Sequence, residues 1–175
     1  MDFGTHLLTG ILLAIFLQLS QFNLWYLAIL GAVLPDLIGE LVYYIGLWKK
    51  TKRFTIFYDK EITASSKEFS NSYYMIPYNF LHSFISVILL LILGFPEEFM
   101  LGYVSHILID IISHAKENWG IMMLWPFSKK RVGPKTNWWE WKIMEGKKLI
   151  WFNIVNYIIS LSLIYIIFWL IQHLQ

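Results

Sequence analysis

The feature that most restricts the fold of this chain is a run of 23 residues, 149–171, without a charged side chain. A helix needs about 20 apolar residues to cross the hydrocarbon core of a bilayer, so this run is long enough to span one. The composition agrees, since 57% of the residues are hydrophobic and 15% are charged, whereas soluble domains carry about 25% charged residues. We therefore predict an integral membrane protein.

Four further apolar segments precede this run. Together the five predict an all-α fold, an integral membrane helical bundle of about five helices that forms a single domain over residues 1–175. The first and fourth segments are short and contain ionisable groups, so we expect neighbouring helices to shelter them from lipid. Pro35 lies in the middle of the second segment and is expected to kink or break it. The segments cover residues 3–19, 24–48, 78–95, 99–115 and 149–171.

All 14 basic residues lie in two of the connections between these segments. Six follow the second segment and eight lie between the fourth and fifth, while residues 20–23 and 96–98 contain none. Basic loops stay on the cytoplasmic side of a membrane. We therefore predict a multi-pass protein of the inner cell membrane, with the N-terminus and both basic loops in the cytoplasm and the C-terminus outside.

The basic residues also bear on the partners of the chain. Lys129-Lys130-Arg131 is expected to face anionic lipid, with guidance of an anionic substrate as a second role. The net charge of +2 is too small to indicate a nucleic-acid partner. The predicted partners are membrane lipid and a lipid-like or phosphoester substrate, and the sequence does not indicate an oligomeric state.

Six ionisable side chains lie within or at the ends of the apolar segments. Such groups are costly in a bilayer and usually face the protein interior, where they carry out a function. In the predicted topology they converge on the inner half of the membrane. Because the chain has no cysteine, a metal would bind nitrogen and oxygen, which suits zinc or a similar divalent ion; the alternative is a set of intramembrane hydrogen bonds or a proton relay. The six are His6, Asp36, His82, His106, Asp110 and His114.

His106, Asp110 and His114 follow one another at intervals of four residues. Neighbours at this spacing share one face of a helix, so a His/Asp pair can chelate one ion. His114 is about 12 Å along the axis from His106, too far for one ion to join both easily. Asp110 could instead bridge two ions, which two-metal hydrolases hold about 3.5–4 Å apart.

Asp36 directly follows Pro35, and Glu40 lies one helical turn further on. A proline bend would let Asp36 point into a cavity as a ligand, whereas the alternative is a cap on the helix after the break. For Glu40 three roles stay open: a ligand, a residue that orients a ligand, or a general base. His6 alone would be a weak candidate. Gly10, one turn after it, permits a close helix approach that suits either a packed site or simple packing.

Several short motifs together resemble one known family. They are Leu101-Gly102-Tyr103-Val104-Ser105-His106, then Asp110, then Leu124-Trp125-Pro126-Phe127-Ser128, with an early His6, Leu34-Pro35-Asp36 and His82-Ser83. Over roughly residues 1–132 the chain resembles the LexA-binding, inner-membrane-associated family of metal-dependent hydrolases, which in turn resembles zinc-dependent phospholipase C and the P1-type nucleases.

The resemblance implies five ligands, and it leaves His114 outside that set. The implied ligands are His6, Asp36, His82, His106 and Asp110. One departure concerns phosphate chemistry: family members often place a His-Arg-Gly element where this chain has Pro77-Tyr78-Asn79, so a basic residue that would meet a phosphate is missing there.

The leading hypothesis is a membrane-embedded hydrolase that holds one to three divalent ions, with zinc as the expected metal. A metal-bound hydroxide would attack an ester, a phosphoester of a lipid or lipid-like molecule above all, because zinc lowers the pKa of water to about 7. His6 would contribute to a second ion, and Glu40 or His114 would move protons. The alternative is a non-enzymatic membrane protein, either with a structural metal that clamps the helices or as a metal-ion carrier.

Overall fold

The computed structural model describes residues 3–20, 22–52, 73–116 and 120–135, together with scattered positions between residues 151 and 169. Within this part of the chain it contains five α-helices, labelled α1 to α5, and no strand beyond an isolated bridge between Ile121 and Val132. The all-α prediction is confirmed for these residues. The helices are α1 Phe3–Leu19, α2 Tyr26–Thr51, α3 Ile76–Leu81, α4 Phe84–Ile92 and α5 Glu97–Ser113, with a 3₁₀ turn at Tyr73–Met75.

The central element is α2, because it packs against α1, α3 and α5. Two glycines bring the backbones of α2 and α5 into direct contact. A Cβ atom on Gly31 would overlap the carbonyl oxygen of Phe99, and a Cβ atom on Gly102 would overlap that of Ala28. The polar residues about one turn further along, Asp36 on α2 and His106 on α5, therefore lie close to each other.

The contact between α1 and α2 also depends on a small residue. A Cβ atom on Gly10 would come within 2.8 Å of the Cβ of Ala32. The close helix approach expected at Gly10 is therefore confirmed. It places His6, one turn before Gly10, against the face of α2 that carries Asp36.

The predicted third segment is two helices rather than one. The helical stretch Tyr73–Leu81 and α4 are inclined to each other by 62°, and His82 and Ser83 form the break between them. Tyr103 of α5 covers one carbonyl there, since its hydroxyl donates to the carbonyl oxygen of Leu81 at 2.6 Å. Ser86 covers another, donating to the carbonyl oxygen of Ser83 at 2.7 Å. These bonds stabilise a bend that turns His82 inward.

The predicted break at Pro35 is wrong, because α2 runs through this residue without interruption. Proline removes the N–H that would bond to the carbonyl oxygen of Gly31. Close neighbours allow a buried helix to tolerate such a loss, and Gly31 lies in direct backbone contact with α5. Asp36 therefore lies inside a helix, and the alternative role of a helix cap does not apply to it.

The exposed surface of the helices is largely apolar. Leu37 and Leu41 of α2 are 53% and 61% exposed, and Ile112 of α5 is 74% exposed. By length and composition, one helix of the described residues can cross a bilayer, Tyr26–Gly46, and the bent pair around His82 would make a second. The predicted segment at 149–171 lies largely outside the described residues, although the positions described there are helical.

Candidate metal site

Four of the expected ligands meet in the interior of the bundle. Asp36 comes from α2, His82 from the break between α3 and α4, and His106 and Asp110 from one face of α5. Each side chain offers one ligand atom, and these atoms all lie within 4.8 Å of one another. None of the four residues is more than 1% exposed. The structure therefore brings Asp36, His82, His106 and Asp110 into a group that is able to hold a metal ion.

Backbone carbonyls fix how the two imidazole rings face this group. The Nδ1 atom of His82 lies 2.8 Å from the carbonyl oxygen of Tyr78, and the Nδ1 atom of His106 lies 2.6 Å from that of Ala32. A carbonyl oxygen only accepts, so each Nδ1 donates its hydrogen. The Nε2 atom of each ring is then left to act as a ligand, which is how metal-binding histidines are commonly oriented.

The distances between ligand atoms fit a small cation. The two Nε2 atoms are 3.0 Å apart, and each lies 3.1–3.8 Å from the nearer oxygens of Asp36 and Asp110. Ligands about 2.0–2.1 Å from a tetrahedral zinc ion are about 3.3 Å from one another. The donor types and their spacing therefore match a nitrogen and oxygen metal site.

The charge of the group is consistent with the same conclusion. Within the described residues, none of the four carboxylate oxygens of Asp36 and Asp110 takes part in a hydrogen bond of good geometry. Two buried carboxylates are costly without compensation. One proton shared between the Nε2 atoms of His82 and His106 would supply a single positive charge, whereas a divalent cation supplies two. A divalent ion would therefore balance both carboxylates, as would protons on the neighbouring imidazoles of His6 and His114, which lie 2.9 Å from Asp110.

His6 and His114 approach the oxygen of Asp110 that does not face His82 and His106. The Nε2 atom of His6 and the Nδ1 atom of His114 are each 2.9 Å from Oδ1 of Asp110, and His6 Nε2 is 3.7 Å from Oδ2 of Asp36. The oxygens near His82 and His106 are the opposite ones, Oδ2 of Asp110 and Oδ1 of Asp36. Asp110 thus presents one oxygen to each pair of histidines, whereas the second oxygen of Asp36 faces His6.

The position of His114 differs from a simple continuation of the helix. α5 ends at Ser113, and His114 follows with an extended backbone, yet its side chain is fully buried. Its ring contacts Asp110, while His106 contacts the other oxygen of the same carboxylate. One ion was not expected to contact both His106 and His114 easily. Asp110 lies between the two rings and contacts each with a different oxygen.

Glu40 lies beside the group. It is one turn beyond Asp36 on α2 and partly buried, and it interacts electrostatically with Asp36, His6 and His82. It does not belong to the set of four whose ligand atoms converge. This placement suits a residue that exchanges protons next to the site.

Two tyrosines that support the site were not recognised from the sequence. The ring of Tyr78 stacks on that of His82 with centroids 4.0 Å apart, and Tyr103 bonds to the carbonyl oxygen just before His82. The only sequence signal was position, since Tyr78 lies four residues before His82 and Tyr103 lies three residues before His106. Aromatic residues are common in apolar segments, so this signal is weak.

The structure also separates the roles of the nearby serines. Ser113 has its hydroxyl 3.1 Å from Nδ1 of His114. Ser83 and Ser105 instead donate to the carbonyl oxygens of Phe80 and Gly102, within their own segments. Only Ser113 among these three contacts an imidazole in the described part of the chain.

Residues 120–132, named here the basic loop, pack against the helical segments on either side of His82. The loop closes through paired hydrogen bonds between Ile121 and Val132, and Arg131 donates from Nη1 to the carbonyl oxygen of Gly120 at 2.8 Å. Phe84, two residues after His82, donates its N–H to the carbonyl oxygen of Met123. Partial burial lowers the pKa of Arg131 from its ordinary value, although a guanidinium stays charged in proteins.

These features define a class of protein: a helical bundle with an apolar exterior and a buried histidine and carboxylate group able to hold a cation. The chain matches the family model described as YdjM inner membrane protein over residues 1–174. It therefore belongs to the YdjM inner membrane protein family, which supports the membrane-bound family expected from the motifs. That description does not name a hydrolase or a P1-type nuclease. No curated protein and no solved structure matches the chain.

Proposed function

We propose that this protein is a metal-dependent hydrolase of the inner membrane that cleaves an ester, a phosphoester of a lipid or lipid-like molecule. The observation that carries the proposal is the convergence of Asp36, His82, His106 and Asp110. Ionisable groups inside a membrane protein are expensive and usually serve a function. In a family of inner membrane proteins, the most direct use of such a group is to bind a metal through nitrogen and oxygen atoms.

The two oxygens of Asp110 face different pairs of histidines, and this arrangement supports a site for two ions. One side offers His82 and His106, and the other offers His6 and His114, with Asp110 shared between them. Paired ions about 3.5–4 Å apart are common in enzymes that cleave phosphoesters, where they stabilise the attacking and leaving oxygens together. This assignment makes His114 a second-ion ligand rather than a mobile proton carrier.

Zinc is the metal that we propose. The chain offers imidazole and carboxylate but no cysteine, and the ligand atoms are spaced as in a tetrahedral site. When bound, such an ion supplies a Lewis acid and makes a coordinated water a stronger nucleophile near neutral pH.

The side chains of the protein would divide the remaining work. The carbonyls of Tyr78 and Ala32 hold His82 and His106 in their ligating orientation. Glu40 would take up the proton that the attacking water releases, because it lies one turn beyond Asp36 without belonging to the converging set. The apolar surroundings would accept the lipid part of the substrate.

The experiment compares the wild type with Asp110→Asn, a change that removes the shared charge and keeps the size of the side chain. We expect bound metal, measured by elemental analysis, to weaken by more than about 100-fold, since losing even a residue that only orients a ligand costs about 10–100-fold. Turnover of phosphomonoesters, phosphodiesters and phospholipids should fall with it. Glu97→Gln is the matched control, because Glu97 lies exposed at the opposite end of the same helix.

A structural metal that clamps the helices is the second candidate, and one observation favours it. The four ligands are no more than 1% exposed, whereas a catalytic ion needs an open coordination position. Metal binding in the wild type without turnover of any ester class, combined with a large loss of thermal stability on chelation, would support the clamp and contradict the hydrolase.

A further inference from the structure

The basic loop, residues 120–132, combines a rigid frame with an exposed apolar tip. Two hydrogen bonds join Ile121 to Val132 at its base, at 3.0 and 2.8 Å. Within the loop, the N–H of Trp125 donates to Met122 and that of Ser128 donates to Leu124. The tip that these bonds hold in place presents Leu124 at 59% exposure and Phe127 at 88%.

The frame is attached to the helices beside the metal site. Met123 accepts the N–H of Phe84 at 2.9 Å, and the ring of Trp125 packs edge-on against Phe80 with centroids 6.2 Å apart. Both partners lie within two residues of His82. The exposure of the tip is therefore a property of a fixed loop, because the residues on either side of it are bonded to the bundle.

Charge is concentrated next to the apolar tip. Lys129 and Lys130 are both exposed, and the N–H of Lys130 bonds to the hydroxyl of Ser128, which fixes the turn between the tip and the lysines. Arg131 turns back to Gly120. An apolar tip flanked by exposed lysines is the pattern of an element that lies in the headgroup region of a bilayer, where apolar groups enter the acyl boundary and lysines meet anionic lipids.

We propose that the basic loop is a binding element for the anionic surface of the bilayer, with Leu124 and Phe127 inserted below the headgroups and Lys129 and Lys130 paired to anionic lipids. A bilayer is the expected partner because the chain belongs to an inner membrane protein family. The anionic lipids of that bilayer carry the charge opposite to that of the two lysines. The proposal does not depend on hydrolysis, because the loop would serve a structural metal site equally well. It goes beyond the proposed function by assigning a surface and its partner.

The absence of cysteine from the chain allows one reporter to be placed at the tip. The Phe127→Cys variant carries a polarity-sensitive fluorophore, and Phe127 is so exposed that the change removes little packing. The full-length protein is reconstituted in nanodiscs of phosphatidylcholine alone or of phosphatidylcholine with phosphatidylglycerol. Quenching by acrylamide, a neutral aqueous quencher, reports the fraction of tips that are inserted.

We expect the label to be more strongly protected in the anionic nanodiscs. The double change Lys129→Glu and Lys130→Glu should lower the ratio of inserted to exposed label by about 30-fold or more, since each lysine near an anionic surface contributes about fivefold and the glutamates add repulsion. The matched control reverses Lys116 and Lys135, which are also exposed but lie at the base of the loop. This control should leave most of the protection in place.

Two results would overturn the proposal. Equal quenching of the label in both lipid compositions would show that the tip does not respond to anionic lipid. Equal loss of protection in the two charge-reversed pairs would show a general effect of net charge rather than a site at the tip. A label at Ser20, in the connection between α1 and α2, serves as the reference for a position without basic neighbours.

Discussion

The chemistry of the site depends on which nitrogen of each histidine faces its centre. For His82 and His106 the choice is made by two backbone carbonyls, those of Tyr78 and Ala32. The first of these lies one turn away in sequence, whereas the second is 74 residues distant. Residue types and spacing were therefore enough to predict that Asp36, His82, His106 and Asp110 converge, but the orientation of His106 requires the packed structure of α2 against α5.

Replacing single histidines distinguishes a two-ion site from a one-ion site. His6 and His106 stack with ring centroids 3.8 Å apart, yet they lie near different oxygens of Asp110. If two ions bind, His6→Ala and His106→Ala should each lower the bound metal by about one ion per chain. Elemental analysis of the purified variants measures this. An unchanged metal count in His6→Ala would show that His6 does not hold an ion.

A change at Glu40 tests its role in proton transfer. We expect Glu40→Gln to retain metal and to lower turnover by about 100-fold or more, because general acid–base groups contribute about 10²–10⁴-fold. Elemental analysis and turnover of a phosphoester substrate measure the two properties separately. Loss of metal in this variant would instead assign Glu40 as a ligand, one of the roles that its spacing from Asp36 left open.

At the scale of the helices, the structure differs from prediction in two places: α2 continues through Pro35, and the third segment breaks at His82. Both differences have one physical cause. The sequence contains a proline inside α2 and none at the break beside His82. Local rules place the break at the proline, yet α2 continues because it packs against three other α-helices. The break at His82 and Ser83 instead depends on distant groups such as Tyr103, 22 residues from the carbonyl that it covers. Contacts of this range cannot be predicted from local patterns.

Tyr103→Phe tests the control of this break. Removing the hydroxyl leaves the carbonyl of Leu81 with only the Ser86 hydroxyl, 3.1 Å away, which should cost about 0.5–1.5 kcal/mol of stability. Because His82 directly follows Leu81, we also expect weaker metal binding. Thermal unfolding with and without added metal measures both effects. Tyr73→Phe is the control, since Tyr73 is 64% exposed. Equal metal affinity in the wild type and Tyr103→Phe would contradict a positioning role for Tyr103.

At the scale of the whole molecule, helix lengths indicate the depth of the site. Leu19, at the end of α1, lies 13 positions after His6, and Asp110 lies 13 positions after Glu97, at the start of α5. At 1.5 Å per residue, both distances are about 20 Å. If the connections at these ends lie at one surface of a hydrocarbon core about 30 Å thick, the site lies in the third of the core nearest the opposite surface, where the basic residues are.

The orientation predicted from the basic residues can be measured directly. The connection that contains Asn23 carries no basic residue, whereas Lys52 ends the long helix among lysines, and both side chains are exposed. Because basic loops stay in the cytoplasm, we expect a cysteine placed at Asn23 to react with a membrane-impermeant maleimide in intact cells. A cysteine at Lys52 should react only after the membrane is opened. Since the chain has no cysteine of its own, each signal reports one position, and the reverse pattern would invert the topology and place the metal site near the outer surface.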